Sequence, residues 1–338
     1  MTTPVPATHH KSAQLDWHAD VLAGYEAATL PAPAQTRRNR GVVRTLVRRV
    51  EVSDQADRPG QPAHPRAIAL HVHGRNDYFF QTHLADALAA DELAFYAVDM
   101  RRAGRSLQPT DRPHHFTQIA ELGEDITAAI DAAVADAGDL SVIVHAHSTG
   151  GLGAAIWASD VGHPNLAGVI LNSPLFGLRL KKWKALGIEA TPIIGAIAPS
   201  FVMDPAPTVY TQRLLAQDGG AWTFDAAWKK STGEPATAGW LGATVSGRRR
   251  VARGLNIAVP VLLAHADSTG PDKFDNPRID SQDTVVDVES MREYGPGLGP
   301  EVTMLEIAGA IHDVSLSAPG PRQAYFDAVG EWLDTVLA

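Results

Sequence analysis

The feature that most constrains the fold is a series of short, mostly apolar runs separated by stretches of helical spacing. Residues 67–72 (Ala67, Ile68, Ala69, Leu70, His71, Val72), 95–98, 141–144, 167–171, 259–264 and 302–307 form these runs. Short runs rich in β-branched and aliphatic residues are what strands buried on both faces require. Between them, 82–91 sets Leu84, Ala87 and Leu88 on one helical face, and 116–137 does the same with Ile119, Leu122, Ile126 and Ile130. Further helices are expected around 284–294 and at 321–337. Regular alternation of strand and helix leaves few topologies open. The expected class is α/β, a mostly parallel central sheet with helices on both faces.

The alternation fails between Phe176 and about Leu255. That window holds Trp183, Trp222, Trp228 and Trp240, several prolines, and no period-two pattern. An inserted, mainly helical cap at 177–255 is the expectation, dividing the core into 41–176 and 256–338. Residues 43–52 read as a strand, and 53–65 as a loop because of Pro59, Gly60, Pro62 and Pro65. Residues 1–40 are polar and rich in Pro and Ala. They are expected as an N-terminal extension wrapped over the surface, with a short helix at 16–28.

Composition removes several classes. The net charge is -9, and the only dense basic runs are Arg37-Arg38-Asn39-Arg40 and Arg248-Arg249-Arg250. No basic stripe of the kind nucleic acid needs is present. The absence of cysteine excludes disulfides, thiolate metal sites and a thiol nucleophile. The most apolar stretch, 185–203, is broken by Glu189, Pro192 and Pro199, so no integral membrane segment is expected. Residues 1–20 carry charges and no apolar signal-type run, giving a cytoplasmic protein as the expectation. There is no Gly-x-Gly-x-x-Gly after a strand and no Walker loop, so no cofactor is expected.

The strongest local motif is Val142-Ile143-Val144-His145-Ala146-His147-Ser148-Thr149-Gly150-Gly151. It places a serine between a buried strand and a helix, with small residues two positions to either side. A serine in a sharp strand-to-helix turn has strained dihedrals, and its neighbours at ±2 must be small to avoid collision. The turn exposes Oγ at the C-terminal edge of the sheet, so Ser148 is the candidate nucleophile. His312, in a small turn after the last strand run, is the candidate base. Asp267 follows the run at 259–264 and is the expected acid, with Asp272, Asp275 and Asp287 as competitors. Two backbone N–H groups, those of Arg75 and Thr149, are the expected oxyanion donors.

His73-Gly74, the segment Asp99-Met100-Arg101-Arg102-Ala103-Gly104-Arg105-Ser106, the Ser148 turn, Asp267 and Gly309-Ala310-Ile311-His312 together resemble the α/β-hydrolase family, in its monoglyceride-lipase and serine-aminopeptidase-like group. The stretch 73–106 is most similar to bacterial, actinobacterial-type members. The resemblance covers roughly 43–337 apart from the cap. It implies the fold, a serine–acid–histidine triad and hydrolysis of a small-molecule ester through an acyl-enzyme, of esterase, monoacylglycerol-lipase or lysophospholipase type. Ala146 and Arg102 stand where the family pattern has glycine, and neither change removes a catalytic group.

Other readings stay open at this level. The same triad could pass the acyl group to an alcohol or amine, or cleave an amide. His71, His73, His145 and His147 lie at the ends of two neighbouring strands and could converge on a metal. A degenerate hydrolase acting as a binding module would need a dead triad. The apolar residues Ile193, Ile194, Ile197, Phe201 and Val202 either face an acyl chain or pack the cap onto the core. Oligomeric state and the natural ester are left unassigned.

Overall fold

The structure is a computed structural model that describes residues 15–31, 40–50, 60–177, 188–205 and 208–338. Parts of the expected N-terminal extension, of the loop at 53–65 and of the cap, including Trp183, lie outside the described residues.

A nine-stranded sheet runs in the order β1-β2-β3-β5-β4-β6-β7-β10-β11. Its centre is formed by β4 (Ala67–Val72), β5 (Leu93–Asp99), β6 (Val142–His147), β7 (Leu166–Asn172) and β10 (Val261–Ala266), with β11 (Val302–Ile307) at one edge. Neighbours among these six pair parallel. Every residue of β4, β5, β6 and β10 is buried, which accounts for the continuous apolar runs. Helices α1 (Thr82–Ala90), α2 (Ala120–Ala137) and α3 (Ser148–Asp160) make the crossovers, and α8 (Pro319–Val336) closes the chain. In α2, Leu122, Ile126, Ala129, Ile130 and Ala133 form the buried face.

The other side of the sheet corrects one expectation. Residues 16–28 form no helix. They contain β1 (His18–Ala19) and part of β2 (Tyr25–Thr29), which continue the sheet antiparallel onto β3 (Thr45–Arg49). The Ala-rich sequence has helical preference, but an open edge at β3 supplies backbone partners that the local preference does not. The described part of the expected extension therefore belongs to the core. Helix boundaries also move. α2 starts at Ala120 rather than 116, and α7 (Val288–Tyr294) starts after Asp287, whose side chain accepts from the Glu289 N–H.

The regular structure in the described part of the cap is mainly helical, with one short strand pair added. It holds α4 (Thr191–Ile197), α5 (Tyr210–Leu214), α6 (Ala238–Val251) and an antiparallel pair, β8 (Val202–Asp204) with β9 (Ala236–Thr237). α6 is seated on the core: a Cβ at Gly247 would meet Ile156 and Leu152 of α3 at 3.2–3.3 Å. The arginine run on α6 serves this seating. Arg248 donates to the Phe176 carbonyl at 2.9 Å, and Arg250 pairs with Asp160 at 2.9 Å. Among the described residues, no helix is long and apolar enough to cross a membrane.

Candidate active site

Parallel strands deliver their C-terminal ends to one edge of the sheet, and a crevice for ligands forms outside that edge. β4 leads into His73-Gly74, β6 into Ser148, β7 ends at Asn172, and β11 leads to the turn before His312. Ser148 has φ +52°, the left-handed region a non-glycine residue avoids. Close packing holds it there. A side chain at Gly150 would overlap the carbonyl oxygen of His73, and one at Gly151 would lie 3.0 Å from Pro174 Cβ. Ala146 is fully buried, its methyl accommodated where the family pattern has glycine.

The structure brings Ser148 and His312 together, with Ser148 Oγ 2.9 Å from His312 Nε2. Its acid is not the expected one. His312 Nδ1 lies 2.8 Å from Asp283 Oδ2, and Asp283 is completely buried. The other Asp283 oxygen accepts from the N–H groups of Val285 and Val286, each at 2.8 Å. With the carboxylate on Nδ1–H, Nε2 is left to accept the serine proton.

Asp267 is corrected to a different place. It is half-buried, and its Oδ1 accepts from Ser268 Oγ at 3.2 Å and from the Gly309 N–H at 3.3 Å. It thus braces the turn that leads to His312 without touching the ring. The three competitors are placed elsewhere too. Asp272 accepts from the Val209 and Tyr210 N–H groups, Asp287 caps α7, and Asp275 is exposed. A signal for Asp283 existed in the sequence. An orienting acid must be buried, and Asp283 alone in the loop at 267–287 is followed by Thr284-Val285-Val286.

Behind the pair lies a buried polar layer. Asn172 Nδ2 donates to Asp313 Oδ1 at 2.7 Å, and Asn172 Oδ1 accepts from the Val314 N–H at 3.1 Å, fixing the loop on the far side of His312. Burial alone would raise the Asp313 carboxyl, but His147 and the hydrogen bonds from Ser315 and Asn172 hold it well below the usual range. The His147 ring stands 4.8 Å from the His312 ring, with Nδ1 3.0 Å from the Asn172 carbonyl oxygen; burial pushes its pKa down.

The four strand-end histidines do not gather around a common point. His71 and His145 meet directly, Nδ1 to Nδ1 at 3.0 Å, and His145 Nε2 meets the Tyr325 hydroxyl at 2.8 Å. Burial pushes His145 down to about 4 and His71 well below its ordinary value. His73 uses Nδ1 on the Gly74 carbonyl at 2.6 Å and accepts the Met100 N–H on Nε2 at 3.0 Å. One trio among the described residues, Asp77, His147 and Asp313, has ligand atoms within 4.8 Å of one another. Asp77 in that trio already faces the Lys229 ammonium at 2.9 Å. These nitrogen commitments do not fit a four-histidine metal centre.

Ser148 and His312 open into a cavity of about 1190 Å³ between the sheet edge and the cap. Leu175, Met203, Trp240 and Leu241 supply apolar lining, and both Arg75 and Thr149 border it. Thr149 is the second residue of α3, so its N–H has no acceptor within the helix. The Arg75 guanidinium donates to the Glu234 carbonyl and lies 4.5 Å over the Trp240 ring; burial lowers its pKa to about 10, with Glu234 and Asp204 acting the other way.

A serine on a left-handed strand-to-helix turn, a histidine on the loop after the last strand, and a parallel sheet carrying both define the α/β-hydrolase class. Within that class, a family model for serine aminopeptidases (S33) matches residues 63–273. This is more than half of the chain, which belongs to that family. The chain is 38% identical over 141 residues to phospholipase YtpA of Bacillus subtilis, covering 41% of this chain and 52% of that protein. It is 32% identical over 122 residues to the uncharacterised YnbC of Escherichia coli, covering 36% of this chain and 20% of that one. The matched region thus spans about half or less of these curated relatives. Among solved structures, a soluble variant of Saccharomyces cerevisiae monoglyceride lipase with a substrate analogue aligns at TM-score 0.63 and 14% identity, over 98% of this chain and 99% of that one. Paleococcus ferrophilus monoacylglycerol lipase aligns at TM-score 0.60 and 18% identity, over 80% and 95%.

Proposed function

We propose that this protein is a serine hydrolase that cleaves carboxylic esters through an acyl-enzyme on Ser148. The observation that carries the reading is the continuous chain of contacts from Ser148 Oγ through the two nitrogens of His312 to Asp283, 2.9 and 2.8 Å long. His312 takes the serine proton as Oγ attacks the ester carbonyl, then returns it to the leaving alcohol. Asp283 fixes the ring tautomer and stabilises the imidazolium. The Arg75 and Thr149 N–H groups hold the developing oxyanion. Water on the emptied side then attacks the acyl-enzyme by the same path in reverse.

The apolar part of the cavity suits an acyl chain of medium length, as in monoacylglycerol-like or lysophospholipid-like esters. The phospholipase and monoacylglycerol lipase names of its relatives agree with that substrate class. A fluorophosphonate probe followed by peptide mapping tests the nucleophile. Labelling is expected on Ser148 and is expected to vanish in Ser148→Ala and His312→Ala. A folded protein that never labels would end the proposal. A chain-length series of p-nitrophenyl esters tests the cavity, with acetate expected below the medium chains.

A further inference from the structure

The loop that leaves β4 is fastened to the cap residue by residue. Arg75 donates to the Glu234 carbonyl and stacks on Trp240. Asn76 makes a reciprocal pair with the Lys230 backbone: its Nδ2 donates to the Lys230 carbonyl at 2.9 Å, and its Oδ1 accepts the Lys230 N–H at 2.9 Å. Asp77 faces the Lys229 ammonium at 2.9 Å. The Tyr78 hydroxyl accepts the Asp225 N–H at 2.8 Å, and its ring meets Trp228 edge-on at 5.1 Å. Four consecutive core residues thus each hold one short stretch of the cap.

This loop also passes directly over the nucleophile. A Cβ on Gly74 would lie 3.1 Å from both Ser148 Cβ and His147 Cδ2. The peptide between Gly74 and Arg75 therefore sits where a small rotation changes how its N–H faces the reacting carbonyl. Asn76 follows at φ +53°, buried, in the left-handed region that asparagine tolerates better than most residues. Among the described residues, its side chain is the only part of the loop that pairs twice with cap backbone, which a charge or a ring contact does not replace.

We propose that Asn76 is a positioning residue, holding the Arg75 N–H in its oxyanion-binding orientation by locking the loop to the cap backbone at Lys230. This rests on the reading of Ser148 as nucleophile and of Arg75 as an oxyanion donor. The cap then contributes to catalysis at this corner as a fixed support for the oxyanion site, in addition to lining the cavity.

The test compares wild type with Asn76→Gly, which keeps the positive φ and loses both bonds, and Asn76→Asp, which keeps only the acceptor. All are assayed on one p-nitrophenyl ester beside Ser148→Ala, with near-ultraviolet circular dichroism to establish folding. Asn76→Gly is expected to lower kcat about 10- to 100-fold with KM within about twofold, and Asn76→Asp to fall between it and wild type. Affinity for an alkyl trifluoromethyl ketone, whose adduct carries the oxyanion, should drop by the same factor as kcat/KM. Unchanged kcat and ketone affinity in the folded variants would overturn the proposal, as would a rise in KM alone. Should Asn76→Gly fail to fold, Asn76→Asp decides by the same two readouts. Wild type and Ser148→Ala hydrolysing the ester equally would instead remove the underlying nucleophile assignment, an outcome separate from any Asn76 effect.

Discussion

The proposed nucleophile and the carboxylate proposed to orient its base are held by opposite means. Ser148 is fixed within ten residues: a buried strand, a left-handed turn and two glycines packed against His73 and Pro174 leave no alternative path. Asp283 sits far along an irregular loop, held by bonds to its two ends. Its N–H donates to the Ser268 carbonyl at 2.9 Å, its carbonyl accepts the Gly270 N–H at 2.8 Å, and its carboxylate accepts from Val285 and Val286. The first device is steric and local, so disturbing it disturbs the fold. The second is a set of hydrogen bonds around one carboxylate, so disturbing the carboxylate changes the chemistry and leaves the packing.

The largest effect that would sharpen this contrast is Asp283→Asn. It keeps the shape, favours the wrong His312 tautomer, and is expected to lower kcat about 10⁴-fold with little change in melting temperature. Retained activity would show that another group orients His312. On the steric side, Gly150→Ala should cost about 3 kcal/mol or more in denaturant unfolding, because the added methyl overlaps the His73 carbonyl. A neutral result would mean the turn is far softer than its packing implies.

Acid should also act on the nucleophile side, whose strand is backed by buried histidines. His145 is lowered by burial to about 4, against about 6.5 in an unfolded chain. The unfolded state therefore binds more protons between those values, so stability falls as pH drops from 6.5 towards 4 and is flat above. The buried His71–His145 pair contributes to this loss, both rings being held below their ordinary values by burial. The depressed Asp313 adds a further loss only below the ordinary carboxylate range. Urea midpoints measured across this range should show the slope, reduced in His145→Gln. The smallest effect is expected for Asp267→Asn, which keeps an acceptor for the Gly309 N–H. Its activity should stay within about tenfold of wild type. A loss matching that of Asp283→Asn would reverse the roles given to the two aspartates.

What the sequence revealed follows the same division. The central parallel strands are legible because burial on both faces writes an apolar run, the exposed edge strand β11 less so, and the Ser148 turn because its steric demands fall on adjacent positions. β1 and β2 are not, since their residues turn to strand only when β3 offers an edge. Asp283 was marked only by its apolar flank, and proximity to the end of β10 favoured Asp267, while the bonds that bury Asp283 link residues 13 to 15 positions apart and a histidine 29 positions on. The cap's strand pair, β8 with β9, joins residues 32 to 35 positions apart in segments too short to show a period.

The two added N-terminal strands bear on how this protein behaves at high concentration. Without them β3, all but one of its five residues buried, would be an open border ready to pair with a neighbouring molecule. Instead, among the described residues, the sheet ends on β1, two exposed residues long, with Asp20 just beyond it tied to Arg105 at 2.6 Å. The opposite border, β11, presents Thr303 and Glu306 outward, and Glu306 is paired with Arg292. Both margins are thus poor templates for strand addition, and a version of this chain shortened past Thr29 should aggregate where the longer one stays dispersed.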